Sequence, residues 1–342
     1  MKERIGYLDA IRVFACLLIV LMHAPKPGLG TYGTILSSIS YVCAPGIGLF
    51  FMISGALLLP VSQSMRHFYK KRFSKLVPPL LIWTVVYILL GLREGGGMAF
   101  SSLLKTVLSI PFSAQGTGIL WFFYTLIGLY LLAPVISPFL ENAKKKEVEF
   151  ILIIWGITLC YPFLQETLSL DTSTYGILYY FSGFVGYFVL GYYLNRYAKT
   201  SNTRIWRGII LIGLPLLVAV IFRAFDFEVD FYQVFWYQSL LVVSMCAGWF
   251  LLFKWLFERW HFKRQELRFL ALLSNLSLGV YLIHFALERE VLWEWPLLYS
   301  GGGVLQIVLT TILAVVVSFF FSWLISLLPF GDIIIGYRRR DS

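Results

Sequence analysis

The sequence predicts an all-α, polytopic membrane helix bundle with ten transmembrane helices and both termini in the cytoplasm. Three observations carry this. The chain has 342 residues, of which 59% are hydrophobic and only 13% charged, with a mean hydropathy of +0.78; soluble domains carry about a quarter charged residues. Its apolar residues gather in runs of about 18 to 25, the length a helix needs to cross ~30 Å of hydrocarbon. Its basic residues alternate between sides from one run to the next. So apolar a chain cannot hide its side chains in one core, and the bilayer becomes the solvent for most of its surface. In hydrocarbon every backbone amide must pair internally, which leaves helices or closed barrels. A barrel shows alternating segments of about ten residues, and this sequence does not.

The apolar runs lie at 5–24, 36–59, 76–92, 119–137, 148–165, 177–194, 208–225, 234–253, 270–287 and 303–328. The first follows Lys2 and Arg4, as a signal peptide would. No small-residue cleavage site follows it; Pro25-Lys26-Pro27 comes next, so it reads as a retained helix. The longest connection, 93–118, holds Gly95-Gly96-Gly97 and a short apolar stretch at 102–112 that reads as interfacial or re-entrant. No connection is long enough for a separate soluble domain, so residues 1–342 are expected to form a single transmembrane domain. No repeat relates the two halves, which disfavours transporters built from inverted repeats.

With the N-terminus placed inside, 22 of the 28 Lys and Arg fall on the inner side, five on the outer side, and Arg12 within the first run. This is the positive-inside pattern, and miscounting one helix would destroy it. It also explains the net charge of +10 without a nucleic-acid partner. The expected location is the cytoplasmic membrane, with membrane lipids as neighbours. Cys16, Cys43, Cys160 and Cys246 sit singly in apolar runs, with no CxxC and no Cys/His cluster. They read as small hydrophobes, and no metal site is expected.

An ionisable group inside a span is costly to insert and is a functional candidate by default. The first run holds Asp9, Arg12 and His23. Eleven residues separate Arg12 from His23, about three turns plus 20°, so both point the same way ~16 Å apart along the axis. In one reading they line a single cavity: His23 as a general base for a hydroxyl acceptor arriving from outside, Arg12 holding an anionic donor from inside. In the other, Asp9 and Arg12 form an i,i+3 pair and His23 caps the outer end of the helix.

Other polar residues carry similar alternatives. Ser54, in Phe50-Phe-Met-Ile-Ser-Gly-Ala56, lies outside any G-x-S-x-G elbow and reads, with Gly55, as a close-packing position. The inner stretch Arg66, His67, Lys70, Lys71, Arg72 and Lys75, closed by Pro78-Pro79, suits a phosphate-bearing ligand or anionic lipid headgroups; Arg72 is the choice for a ligand. His284 ends the ninth run at a depth like that of His23. Tyr281 lies on its face, and Glu288 and Glu290 follow. His284, Tyr281 and Glu288 are substrate-side candidates, or His284 is a satisfied interfacial histidine. The glycine triplets 95–97 and 301–303 lack the Lys-Ser/Thr of a phosphate loop. Tyr175, Trp293 and Trp295 suit sugar stacking or an interfacial belt.

Taken in order, these residues resemble the acyltransferase 3 family. Tyr7-Leu-Asp-Ala-Ile-Arg12 with His23 matches its R-x10-H signature. Phe50 to Gly55, Phe68-Tyr-Lys-Lys-Arg72 with Pro78, Leu120-Trp-Phe-Phe with Tyr130 and Pro134, Phe184 with Gly191-Tyr192, and Ser277 to His284 follow. The details look closest to the branch of the enterobacterial common antigen O-acetyltransferase and related exopolysaccharide acyltransferases. The resemblance implies ten core helices and transfer of an acyl group, acetyl in most members, from cytoplasmic acyl-CoA. The acceptor would be a hydroxyl of a cell-surface glycan or its lipid-linked precursor. Carried over by position, His23 is catalytic and Arg12 its signature partner, and Arg72, with Lys71 and Lys75, falls in the run associated with CoA. Acetyl-CoA is then a donor substrate, and no permanently bound cofactor is implied. No SGNH-type domain, which many members add, is expected to be fused to this chain. A carboxylate orienting His23 is expected, with Glu94, Asp226, Glu288 and Glu290 as candidates by depth. The competing reading is an exporter of polysaccharide or lipid-linked sugar, which leaves the sugar unaltered. A non-catalytic scaffold leaves the cost of inserting Arg12 and His23 unexplained.

Overall fold

The computed structural model describes residues 4–25, 32–93, 104–105, 108–109, 118–169, 176–202, 205–228, 230–299 and 303–339. Glu94, Tyr175, both glycine triplets and the 102–112 stretch lie wholly or partly outside these residues. The described chain is helical, with no strand. In order the helices are α1 (Gly6–His23), α2 (Tyr32–Cys43), α3 (Pro45–Leu58), α4 (Met65–Arg93), α5 (Trp121–Asn142), α6 (Lys145–Thr158), α7 (Tyr161–Leu168), α8 (Val185–Tyr197), α9 (Ile205–Ala224), α10 (Phe231–Val234), α11 (Leu240–Arg259), α12 (Arg264–Leu287), α13 (Gly303–Leu327) and α14 (Gly331–Ile335). A π-helical turn, Glu288–Leu292, extends α12.

Among the described residues nine helical stretches are long and apolar enough to cross a membrane. They coincide with the predicted runs except at 177–194. There the helix begins only at Val185 and has 13 residues, about 20 Å at 1.5 Å per residue. Gly183, at φ +91°, adopts a conformation other residues avoid, and its carbonyl accepts from Trp155 Nε1 at 2.9 Å. The Tyr- and Phe-rich stretch before it therefore cannot continue the helix. Two other runs are broken. Ala44 separates α2 from α3, with Pro45 opening α3, and Leu159-Cys160 separates α6 from α7, where Pro162 lies in the first turn. A proline at a helix start forfeits only an amide that is unpaired anyway.

The chain divides into two compact units: Met1–Met22, Pro27–Pro60 and Val135–Ser274 form the first, and His23–Lys26, Val61–Pro134 and Asn275–Ser342 the second. The first is organised around α3 and α8. A Cβ at Gly55 would lie 1.8 Å from the Phe188 carbonyl oxygen, and one at Gly191 would lie 1.9 Å from that of Met52. The two backbones touch at both glycines, as small residues permit where lipid supplies no hydrophobic drive for association. This bears out the close-packing reading of the Ser54-Gly55 position. Lys254, buried on α11, donates to the carbonyls of Leu194 (3.2 Å), Asn195 (3.0 Å) and Ala198 (2.7 Å). The Leu194 carbonyl also accepts from Ala198 N; at Asn195 and Ala198 the ammonium supplies a donor to carbonyls that lie past the reach of the helix's own amides.

In the second unit α4, α12, α13 and α14 pack with the start of α5. Trp83 Nε1 donates to the Ile334 carbonyl at 3.1 Å, and Tyr87 Oη to that of Leu282 at 3.0 Å. On α13 the buried face reads Gln306, Thr310, Ala314, Ser318, Ser322, Ser326, while Val304, Val308, Ile312, Val316 and Phe320 are exposed. Both rows step by four, so they run along opposite faces of the helix. Apolar residues outside and small polar ones inside is the reverse of a soluble helix and suits lipid. All four cysteines are free thiols, and no cluster able to hold a metal occurs among the described residues.

Candidate functional site

The second unit assembles a polar site around the last residue of α1. His23 ends that helix, and the next carbonyl, Ala24, is one of the terminal oxygens no helical amide reaches. Trp293 Nε1 donates to it at 3.1 Å and Gln306 Nε2 at 3.2 Å; Gln306 is positioned in turn by Thr310 Oγ1 at 2.9 Å. Two donors converging on one carbonyl fix where the chain leaves the helix and so where the imidazole sits. Sequence reasoning missed both roles. A lone glutamine in the run 303–328 was the available signal, since an amide in a span needs partners.

His284, on α12, is 0% exposed. Its Nδ1 lies 3.1 Å from the Val280 carbonyl oxygen and its Nε2 lies 3.3 Å from His23 Nδ1. A carbonyl only accepts, so His284 carries its proton on Nδ1, and neutral Nε2 is then an acceptor. His23 must donate from Nδ1, which leaves the lone pair of a neutral His23 on Nε2. The imidazole ring centres are 5.3 Å apart. Phe285 meets the His23 ring edge-on at 5.2 Å, and Tyr281 packs 5.8 Å from the His284 ring with its hydroxyl bonded to the Ile119 carbonyl. A carboxylate is expected to orient His23; at Nδ1 the structure places a second imidazole, that of His284, and Glu94 lies outside the described residues.

Glu288, four residues beyond His284, is 0% exposed, and neither carboxyl oxygen has a hydrogen-bond partner among the described residues. Buried polar groups are nearly always bonded, and an exception calls for explanation. Glu288 opens the π-helical turn, a distortion frequent at functional sites. Glu290 lies 3.7 Å from Arg289 Nε. Also in this unit, the Arg72 guanidinium lies 5.9 Å from the Phe68 ring centre, with Nε buried and unpaired. Lys71 and Lys75 are exposed. Arg72 is therefore placed differently from its basic neighbours.

Arg12 belongs to the first unit. Its Nη1 donates to Ser274 Oγ at 3.2 Å, and that hydroxyl donates to Asp9 Oδ1 at 2.6 Å. Arg4 grips the same carboxylate with two bonds, 2.5 and 2.9 Å. Asp9 and Arg12 thus share a network that Ser274 bridges. Asp226, exposed and at φ +47°, also lies in the first unit.

His23, His284 and Tyr281 are thus brought together, with Glu288 one turn away. A family model described as an acyltransferase domain matches residues 5–328, a span that holds Arg12, His23, Arg72, Tyr281, His284 and Glu288. No curated protein and no solved structure matches. A many-helix membrane chain matched by that model over nearly its whole length belongs to the acyltransferase 3 family of membrane acyltransferases.

Proposed function

We propose that this protein is an O-acyltransferase of the cytoplasmic membrane. It moves an acyl group, acetyl as in most of the family, from cytoplasmic acyl-CoA to a hydroxyl of a cell-surface polysaccharide or its lipid-linked precursor. His23 is the general base. The observation that carries the reading is the 3.3 Å contact between His23 Nδ1 and His284 Nε2, because the anchored His284 gives His23 the tautomer a base needs.

In the reaction, His23 Nε2 takes the proton of the acceptor hydroxyl as its oxygen attacks the thioester carbonyl. The resulting imidazolium is held through its Nδ1–H by His284. The carbon–sulfur bond then breaks, and the CoA thiolate leaves with the proton from His23 Nε2. Protons and charge balance without a further reactant. Arg72, with Lys71 and Lys75, is the proposed contact for the donor's phosphates. Arg12, steadied by Ser274, is the signature cation of the donor side. Glu288 is proposed on the acceptor side. The resemblance of its motifs to the enterobacterial common antigen and exopolysaccharide branch supports a surface glycan as the proposed acceptor class.

The test uses purified protein, acetyl-CoA and thermal unfolding, since a ligand that binds the native state must raise the melting temperature. Acetyl-CoA stabilises both the wild type and His23→Ala, and His23→Ala loses acyl transfer. No stabilisation at saturating acetyl-CoA removes CoA as donor, and full activity of His23→Ala removes the base.

A further inference from the structure

In the first unit a cavity of about 210 Å³ lies between the start of α6, the end of α8, the start of α9 and α11. Lys145, Lys199 and Arg207 line it, together with Tyr197 and Trp255, and no carboxylate among the described residues does. Lys254 lies behind one wall: its three bonds go to neutral carbonyls, two of them from the lining residues Leu194 and Ala198. Two carboxylates stand close by. Glu149 bonds Tyr193 at 2.5 Å and pairs with Lys145 at 3.3 Å, and Glu258 accepts from Thr200. Among the described residues four cations stand against two carboxylates, and the cavity is positive. Its charged lining comes from the segments the charge count assigns to the cytoplasmic face. Nothing in the acyl-transfer chemistry uses these residues.

We infer that this cavity binds the phosphodiester headgroup of an anionic phospholipid. Its size argues against a whole nucleotide cofactor, which needs a cleft of ~300–1,000 Å³. Its other wall argues for a lipid. Ile205 and Leu251 line the cavity, and α9 continues from Ile205 with Ile209, Ile210, Leu214 and Leu217 exposed along it. Acyl chains attached to a seated headgroup would lie along that row. Trp255 and Tyr197 offer the amphipathic rings that suit the headgroup level, and basic pockets between helices are the usual seats of anionic headgroups.

The test is native mass spectrometry of the full chain in detergent, with added phosphatidylglycerol or phosphatidylcholine. Phosphatidylglycerol is retained in preference. Neutralising a cation costs about fivefold in affinity per charge, so Lys199→Gln/Arg207→Gln loses it by roughly 25-fold. Lys146→Gln and Lys263→Gln, exposed cations that do not line the cavity, leave retention unchanged. Wild-type retention falls with ionic strength for phosphatidylglycerol only, a readout that needs no variant. Equal retention of the two lipids overturns the inference, as does wild-type retention by the double variant. Displacement of phosphatidylglycerol by CoA or inorganic phosphate with the same charge dependence also overturns it, assigning the site to a soluble phosphate.

Discussion

Replacing His284 with leucine removes the acceptor for the His23 Nδ1–H while leaving His23 itself in place. In the resting protein that bond joins two neutral groups, worth about 0.5–1.5 kcal/mol; once His23 carries the acceptor's proton the donor is charged and the bond is worth about 1.5–3. The difference, about 1–2 kcal/mol, is stabilisation confined to the transition state. At 1.36 kcal/mol per decade it corresponds to a roughly 5- to 30-fold loss in kcat/KM. The 3.3 Å separation is long for such a bond, which favours the lower half of that range. His23→Ala, by contrast, removes the general base and costs about 10²- to 10⁴-fold. The fold should survive His284→Leu, because the helix still pairs the Val280 carbonyl and the one N–H that loses its acceptor belongs to His23, which is only half-buried. His284→Gln, whose side-chain oxygen can accept, recovers part of the activity. The assay is initial-rate acyl transfer over a range of acetyl-CoA, with thermal unfolding as the folding check. Activity of His284→Leu within twofold of wild type refutes the tautomer argument. A loss equal to that of His23→Ala also refutes it, since His284 would then be the base.

Three further outcomes follow from the same structure. Arg72→Gln raises the KM for acyl-CoA about tenfold with kcat nearly unchanged, whereas Lys71→Gln and Lys75→Gln, exposed and hydrated, change KM less than threefold; charge-assisted phosphate contacts of about 1.5–3 kcal/mol set the scale. Glu288→Gln keeps the shape of a side chain that has no internal bond to lose, so the melting temperature stays level or rises, while acyl transfer falls at least tenfold if the carboxyl meets the acceptor; unchanged kinetics remove Glu288 from the site. Gly55→Val forces apart two backbones in contact, and overpacking costs about 1–3 kcal/mol or more, so size-exclusion profile and melting temperature deteriorate; a variant as stable as wild type contradicts the α3–α8 contact.

Much of this was legible in the sequence, and the parts that were not share a cause. Hydropathy located the spans because lipid acts on whole segments, and the α13 stripe shows why only their composition mattered. The break at Gly183 escaped notice because a Tyr- and Phe-rich run looks apolar whether or not its backbone can turn as a helix. Arg12 and His23 stood out through the cost of inserting them, and His284 through its matching depth. Their partners did not stand out. His23 and His284 are 261 positions apart, and no local pattern tells that one imidazole will accept from the other in place of a carboxylate. Trp293 read as an interfacial aromatic, although its indole N–H holds the Ala24 carbonyl. Ser274 gave no signal at all, since an isolated serine in a span usually bonds its own helix. Spacing along a helix shows which residues share a face; it does not show which group from a distant helix completes their bonds.

The role proposed for His23 is to drive the covalent acylation of a surface glycan. Mass spectrometry of the glycan from cells carrying the wild-type chain, His23→Ala, or neither tests it most directly. The sugar gains one acyl unit with the wild type and none with the other two. Glycan of identical mass in all three, differing only in the amount exported, would contradict it and favour a transporter.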